Sequence, residues 1–401
     1  MTSIKVKFRA STVSSQEGSI YYQIIHERKV RQLLTDYKIF PNEWDSDRSI
    51  VKTTQTNRRK SFVLTIRECI HLDVKRLTKI YRKLDANGLT YTVDDIIDEF
   101  NRYTQEYTLF NFMESIISKL KQNGKIRTSE TYQSTLNSFK KFRMGEDLML
   151  DRLTSEIMEA YEAWHHKRGI VPNTISFYTR ILRAVYNRAV ENNIIENRNP
   201  FRHVYTGVDK TVKRALPISF IKKIKTLALP TTSSLDFARD MFLMSFYLRG
   251  MSFIDMAYLK KTDLKNGHIV YRRRKTGQQL IIKWTKEMQM ILDKYPENKS
   301  DYLLPIIRNI GTNERYSYRN TGYNINRNLK NIAAMVGITI PLTLYVARHS
   351  WASAAKSKGI PLSIISEGMG HDSENTTKIY LASLDTSIVD KANALILKSL
   401  K

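Results

Sequence analysis

Four polar residues near the end of this chain are of the types that break a phosphodiester. Arg348 and His349 stand side by side, His371 follows Gly370, and Tyr380 comes nine residues after that histidine. A phenol becomes a nucleophile when its proton is taken, an arginine holds phosphate oxygens through charge-assisted hydrogen bonds, and a histidine exchanges protons near neutral pH. Thr343 to Lys358 reads as a helix, with Tyr345, Arg348, His349 and Ala352 at i, i+3, i+4 and i+7 and Gly359 where a C-terminal cap belongs. Three polar side chains then share one face. Burying an arginine there is costly unless an anion or a partner meets it, and phosphate is the natural anion. Pro361 to about Glu367 reads as a second short helix stopped by Gly368-Met369-Gly370. The polar run DSENTTKI would then carry Tyr380 back toward Arg348 on a short mobile segment. Singly, Arg-His is usually an ion-paired surface feature and a terminal tyrosine is usually packing. In this order and spacing, coincidence is the poorer explanation.

A departing oxygen also needs a proton. His268 to Arg274 and Gln279 to Trp284 read as a β-hairpin around Lys275-Thr276-Gly277, which puts a lysine at the tip directly after Arg272, Arg273 and Arg274. A lysine beside a turn glycine is common in ordinary turns. Three arginines are not needed to make a turn, and they favour a hairpin lying against DNA. Asp236 to Lys260 is apolar along most of its length and is expected as a buried helix pair. Within it Arg249 breaks an apolar run, and a charge in that setting either snorkels out or meets an anion. A further strand at Tyr302 to Leu304 and a basic helix from Tyr323 to Val336 lead into the terminal stretch.

The totals point the same way. Lys and Arg number 65 against 39 Asp and Glu, a net charge of +26 that polyanion binding explains most simply. The 401 residues allow two or three domains. Cys69 alone rules out a disulfide framework and a thiolate-rich zinc site, and points to a reducing interior. There is no signal-peptide core at the start and no apolar run of about 18 residues. A cytoplasmic, nucleoid-associated protein of bacterial type is expected, with no membrane partner. Asp255, Asp263 and Glu287 are scattered, so no carboxylate cluster for two metal ions is expected, and there is no Walker-type glycine loop. No cofactor and no metal are called for.

Before these residues come two regions that would position the chain on DNA. Ile4 to Phe8, Ser19 to His26 and Arg31 to Phe40 read as a three-stranded sheet, followed by a basic helix from about Asn57 to Leu84. That helix is either a solvated face or, with the sheet, an accessory DNA-binding module. Residues 85–103 read as a connector. Phe110 to Gln122, Thr128 to Phe142, Ser155 to Lys167 and Asn173 to Glu191 have helical period and many basic residues, and Tyr205 to Leu216 is a linker carrying Lys210, Lys213 and Arg214.

The succession Arg348-His349, Gly370-His371, Tyr380 resembles the C-terminal signature of the tyrosine recombinase, or phage integrase, family. The resemblance implies a multidomain, mainly α fold with small β-sheets: an arm-type DNA-binding domain (1–90) of three strands and a helix, a helical core-binding domain (104–202), and an α+β catalytic domain (215–401). It implies a site-specific recombinase that cuts and rejoins DNA through a 3′-phosphotyrosine. Tyr380 would be the nucleophile, Arg348 and Arg249 phosphate ligands, Lys275 the proton donor, and His371 with His349 the proton-handling groups. Arg272, Arg273, Arg274, Lys210, Lys213 and Arg214 would touch DNA. A homotetramer on double-stranded DNA carrying recombination sites, with a DNA-bending accessory protein, would integrate or excise a mobile element or invert a segment. The terminal helix from Ser387 would dock in a neighbouring subunit or on its own domain.

The chain departs from the family pattern twice. The first catalytic arginine lies three residues before an acid; Asp255 is that acid, and Ser252 stands at the arginine's place with Arg249 one turn earlier. This RGMSFIDM box resembles the variant in Bacteroides-type mobile-element integrases. Three residues before the second arginine, where most members have a histidine, stands Tyr345; a phenol donates a hydrogen bond to phosphate but is a poor base at neutral pH. Tyr345 and Ser252 are therefore additional phosphate-contact candidates. The departures motivate a rival, a DNA-binding regulator of this fold without catalysis, and the shared chemistry a second, a type IB topoisomerase.

Overall fold

The structure, a computed structural model, describes residues 2–13, 15–52, 59–88, 90–209, 214–308, 313–382 and 397, with only the backbone described at 379, 380 and 382. The chain divides into two compact units, Met1–Asp209 and Lys210–Lys401.

In the first unit, β1 (Ser3–Arg9), β2 (Gly18–His26) and β3 (Lys29–Ile39) form an antiparallel sheet in chain order. Period-2 alternation sends Ile20, Tyr22 and Ile24 of β2 inward and leaves Tyr21, Gln23 and Ile25 on the other face. A two-stranded ribbon, β4 (Trp44–Asp45) with β5 (Ile50–Val51), leads to α1 (Lys60–Ala86), whose Val63, Ile66, Ile70, Leu77 and Ile80 cover the sheet. The stretch 85–103, expected as a connector, holds a helix instead, α2 (Val93–Glu106). A reciprocal Thr92–Asp95 capping box starts it, and Val93, Ile96 and Phe100 pack it into the same core. The expected helices of the next region are present as α3 (Leu109–Gln122), α4 (Ile126–Phe142), α5 (Ser155–Lys167) and α6 (Pro172–Glu191), around a separate core that includes Met113, Phe139, Tyr161 and Leu182.

A buried polar layer joins the sheet module to the helical module. Asp73 of α1 accepts the hydroxyls of Tyr22 (2.8 Å) and Tyr37 (2.7 Å) and the guanidinium of Arg76. Arg76 also reaches Asp151, and Arg152 donates to Tyr37. Towards the surface, Lys75 pairs with Glu196 and Arg198 with Glu68.

The second unit opens with α7 (Ile218–Thr226), which was not expected from the sequence, and α8 (Ser234–Tyr247) with the short α9 (Phe253–Ala257). The antiparallel sheet β6 (Leu264–Lys265), β7 (His268–Arg272), β8 (Gln279–Lys283) points Ile269, Tyr271, Leu280 and Ile282 inward. Tyr302–Leu304, expected as a strand, makes only an isolated bridge from Tyr302 to Lys260, and β6 is the third strand. After α10 (Lys286–Asp293) comes α11 (Glu314–Met335), which starts nine residues before its expected beginning, on an Asn313 side chain that accepts from Tyr316 N–H. Then follow α12 (Leu344–Ser357), α13 (Leu362–Met369) and α14 (Glu374–Ala382). Tyr380 thus lies in a helix, where a short mobile segment was expected. Apart from residue 397, the expected helix 387–401 lies outside the described residues.

Removing Asp73 would strand the buried Tyr22 hydroxyl and take one partner each from Tyr37 and the buried Arg76. Asp73→Ala is expected to destabilise the chain by about 3 kcal/mol or more. Urea denaturation measures it, and a loss below about 1 kcal/mol would mean that the polar layer contributes little.

Candidate active site

Arg348, only 3% exposed, lies on α12. One terminal nitrogen donates to Gly250 O (2.8 Å); the other donates to Met369 O (2.8 Å) and meets His371 Nε2 at 3.1 Å. On the same helix His349 is buried, and Tyr345 (54% exposed) stands edge-on to it with ring centres 4.7 Å apart.

Why Gly250 is a glycine follows from how close it comes. An added Cβ would lie 2.7 Å from Arg348 Cα, and φ is +74°. Arg249, just before it, is also left-handed at φ 58°, a conformation that costs a branched or long side chain free energy and is concentrated at functional sites. The corner is closed by Arg249 N–H to Phe246 O and Gly250 N–H to Ser245 O. Arg249 is half-buried, and its Cδ comes within 3.8 Å of where a Cβ on Gly368 would be. Ser252 is engaged locally, because its hydroxyl donates to Asp255 Oδ2 (2.6 Å) and accepts Asp255 N–H, capping α9. The other oxygen of buried Asp255 accepts Arg274 N–H (2.9 Å), which ties α9 to the hairpin tip.

At that tip Lys275 is exposed, as are Arg272, which donates to Gly277 O, and Arg274, stacked 4.2 Å over Tyr258. Arg273 departs from the expectation that all three face DNA. It is 8% exposed and its guanidinium donates to Gly370 O. The signal was its position: along the end of β7, Arg273 shares the inward face with Ile269 and Tyr271.

His371 follows α13, whose left-handed Gly370 caps the helix. An arginine N–H only donates, so Nε2 of His371 is the acceptor, and the proton sits on Nδ1, which donates to Thr377 Oγ1 at 2.7 Å. Burial first, then the cations Arg348, Arg273 and Lys275, push the imidazole from 6.5 down to about 4. Thr377, buried on α14, went unnoticed in the sequence; a small hydroxyl one helical turn before Tyr380 was the available sign. Leu381 anchors α14 among Ala352, Ala355, Ile365 and Met369. The backbone of Tyr380 therefore lies between two anchored residues, while its side chain is outside those described. Tyr271, a buried phenol on β7, is raised by burial and by Asp255, against which Arg348, Arg273 and Arg249 act in the lowering direction.

Arg214 is exposed ahead of α7; Lys210 and Lys213 lie outside the described residues. Among the described residues no group of three His, Cys, Asp or Glu is placed to hold a metal ion, and no helix is long and apolar enough to cross a membrane.

The chain matches the Phage integrase family over residues 221–387, the Phage integrase SAM-like domain over 108–206 and the Arm DNA-binding domain over 6–97. It is 24% identical to tyrosine recombinase XerC of Thermodesulfovibrio yellowstonii over 286 residues, 69% of this chain and 91% of that one. A lambda integrase tetramer bound to a Holliday junction shares the fold with a TM-score of 0.53 at 16% identity, over 90% of this chain and 92% of that one. The Tn1549 transposon integrase in complex with a circular intermediate DNA does so with a TM-score of 0.52 at 16% identity, over 73% and 99%.

Two outcomes follow from the geometry. Gly250→Ala, strained by both φ and the Arg348 backbone, is expected to lower stability by about 1–3 kcal/mol in thermal unfolding. In an NMR titration of the free protein, His371 is expected to stay neutral down to about pH 5 and to titrate near about 4. Its pKa is lower folded than unfolded, so the unfolded chain takes up the proton first. Its stabilising contribution is complete above about pH 7 and is lost as pH falls from 6.5 towards 4.

Proposed function

The chain belongs to the phage integrase family of tyrosine recombinases, and from that membership we propose which of its residues carry DNA cleavage and rejoining. The observation that carries the proposal is the hydrogen-bonded series Arg348, His371, Thr377, which links a buried arginine to the helix bearing Tyr380. Tyr380 attacks the scissile phosphorus, forming the phosphotyrosyl bond while the bond to the 5′ oxygen breaks. The phenolic proton passes to the neutral His371 or, with it, His349, and Lys275 protonates the departing oxygen. Arg348 and Arg249 neutralise the non-bridging oxygens, which is usually the largest contribution in such chemistry. Because the ester energy is kept in the covalent bond, religation needs no nucleotide or metal.

Arg249 takes the first-arginine role rather than Ser252. The serine hydroxyl is committed to the α9 cap, whereas Arg249 sits on a strained corner held against Arg348. Tyr345, exposed beside His349, supplies a phosphate donor where relatives have histidine.

The sheet of the first unit offers a second DNA surface. Its outward face carries Lys5, Lys7 and Arg9; Arg9 bonds Gln32 (2.8 Å) and lies over Tyr21. A strand face of this kind enters a groove while lysines meet phosphates. Separate arm and core contacts suit integration and excision of a mobile element by a homotetramer, in keeping with the lambda and Tn1549 integrases.

The test is a nicked suicide duplex carrying the recombination site. Covalent adduct is expected with the parent chain and none with Tyr380→Phe. Binding with no adduct from the parent would instead support the regulator, and relaxation of plasmids without any site the topoisomerase. Arg348→Ala is expected to bind the site but lose cleavage by about 10²-fold or more; equal loss of both would make Arg348 structural. Arg249→Ala should lose cleavage likewise while Ser252→Ala keeps it, and the reverse order would transfer the role to Ser252.

A further inference from the structure

The three arginines before Lys275 have different surroundings. Arg272 and Arg274 are exposed, but Arg273 is buried and its guanidinium donates to the carbonyl of Gly370, the residue before His371. Burying a cation costs free energy that no tight turn requires. Arg273 already opens the turn through its backbone, donating to Gln278 O (2.8 Å) and accepting Gly277 N–H (2.7 Å). Its side chain adds a bond from the hairpin to the α13 cap. The fit there is close: a Cβ on Gly370 would lie 2.9 Å from Leu280 Cδ1 and 3.2 Å from Arg273 Cδ.

We propose that Arg273 is a positioning residue for Lys275, fixing the hairpin tip against Gly370 so that the lysine ammonium faces the same phosphate as Arg348 and His371. This rests on reading Lys275 as the proton donor. The tip is held at two successive residues, by Arg274 N–H on Asp255 and by the Arg273 side chain on Gly370, and Lys275 comes next. Strand pairing through Ile269, Tyr271, Leu280 and Ile282 holds β7 and β8 but ends at Arg272. Lysine has a flexible four-carbon stem, so the place of its Cα decides where the ammonium spends its time. Misplacement by about 1 Å costs on the order of 10²-fold in rate.

The experiment compares two suicide duplexes, one with the ordinary 5′ oxygen at the scissile phosphate and one with sulfur in its place. A thiol of pKa about 8.5 leaves as thiolate near neutral pH and needs no acid. Arg273→Met removes the cation and its donors at similar volume; Arg273→Lys keeps the charge with a different donor geometry. Arg273→Met is expected to cleave the oxygen duplex about 10- to 100-fold more slowly than the parent and the sulfur duplex at the parent rate, as Lys275→Ala should. Arg273→Lys should show a smaller defect that sulfur also erases, and it carries the comparison if the methionine variant fails to fold. Slow cleavage of both duplexes by the Arg273 variants, with Lys275→Ala rescued by sulfur, overturns the proposal alone. If Lys275→Ala is not rescued, the reading of Lys275 fails and the proposal falls with it. Weaker site binding with a shallower salt dependence would make Arg273 a phosphate contact, which also overturns it.

Discussion

A buried guanidinium organises the second unit. Desolvating a cation costs several kcal/mol unless its donors are well matched, so Arg348 is tolerated only where Gly250 O, Met369 O and His371 all converge on it. These acceptors come from the corner after α8, the end of α13 and the residue after its cap. The corner carries a conformational cost, because Arg249 is left-handed, while Gly250 and Gly370 take the same region as glycine readily does. The strain and the buried charge are one arrangement, because relaxing the corner would withdraw the Gly250 carbonyl from Arg348.

The first unit solves a similar problem with the opposite sign. Asp73 is buried between two separate apolar cores, and Tyr22, Tyr37 and Arg76 converge on its carboxylate. Burial and Asp73 raise both phenols well above their ordinary range, with Tyr37 adding to the shift at Tyr22, so they remain donors at any working pH. Polar contacts of this kind are directional. They fix how the sheet module meets the helical module within the unit more narrowly than apolar packing alone would.

Much of this was legible in the residues because long, strongly periodic segments announce themselves. The helices α3, α4, α5, α6 and α12 and the hairpin β7–β8 lie close to their expected bounds. What escaped was short or signalled by caps rather than period. The start of α2 rests on Thr92 and Asp95, the start of α11 on Asn313, and β6 has two residues. At the site, the motif residues were readable by type and order, but the contacts that aim them were not. Nothing in RRRKTG says that the middle arginine turns inward, since that depends on Gly370, 97 residues away. Nor does RGMSFIDM show that Ser252 caps α9 or that Arg249 lies on a left-handed corner.

The electrostatics of the site also bear on the order of events. In the free protein His371 is held neutral by burial and by three cations. In the proposed mechanism, a phosphodiester held by Arg348 and Arg249 beside Lys275 would bring the opposite charge and move the imidazole back towards its ordinary value. On that proposal, proton affinity at His371 would rise when substrate arrives, which is when the phenol must lose its proton. The low resting pKa has a second consequence. A neutral histidine adds no fourth charge to the cationic cluster, so Arg348 stays buried without further repulsion. The same Nε2 lone pair that accepts from Arg348 is what a departing phenolic proton needs. In the proposed mechanism, exchange of one partner for the other would couple the Arg348–His371 hydrogen bond to the first step of cleavage.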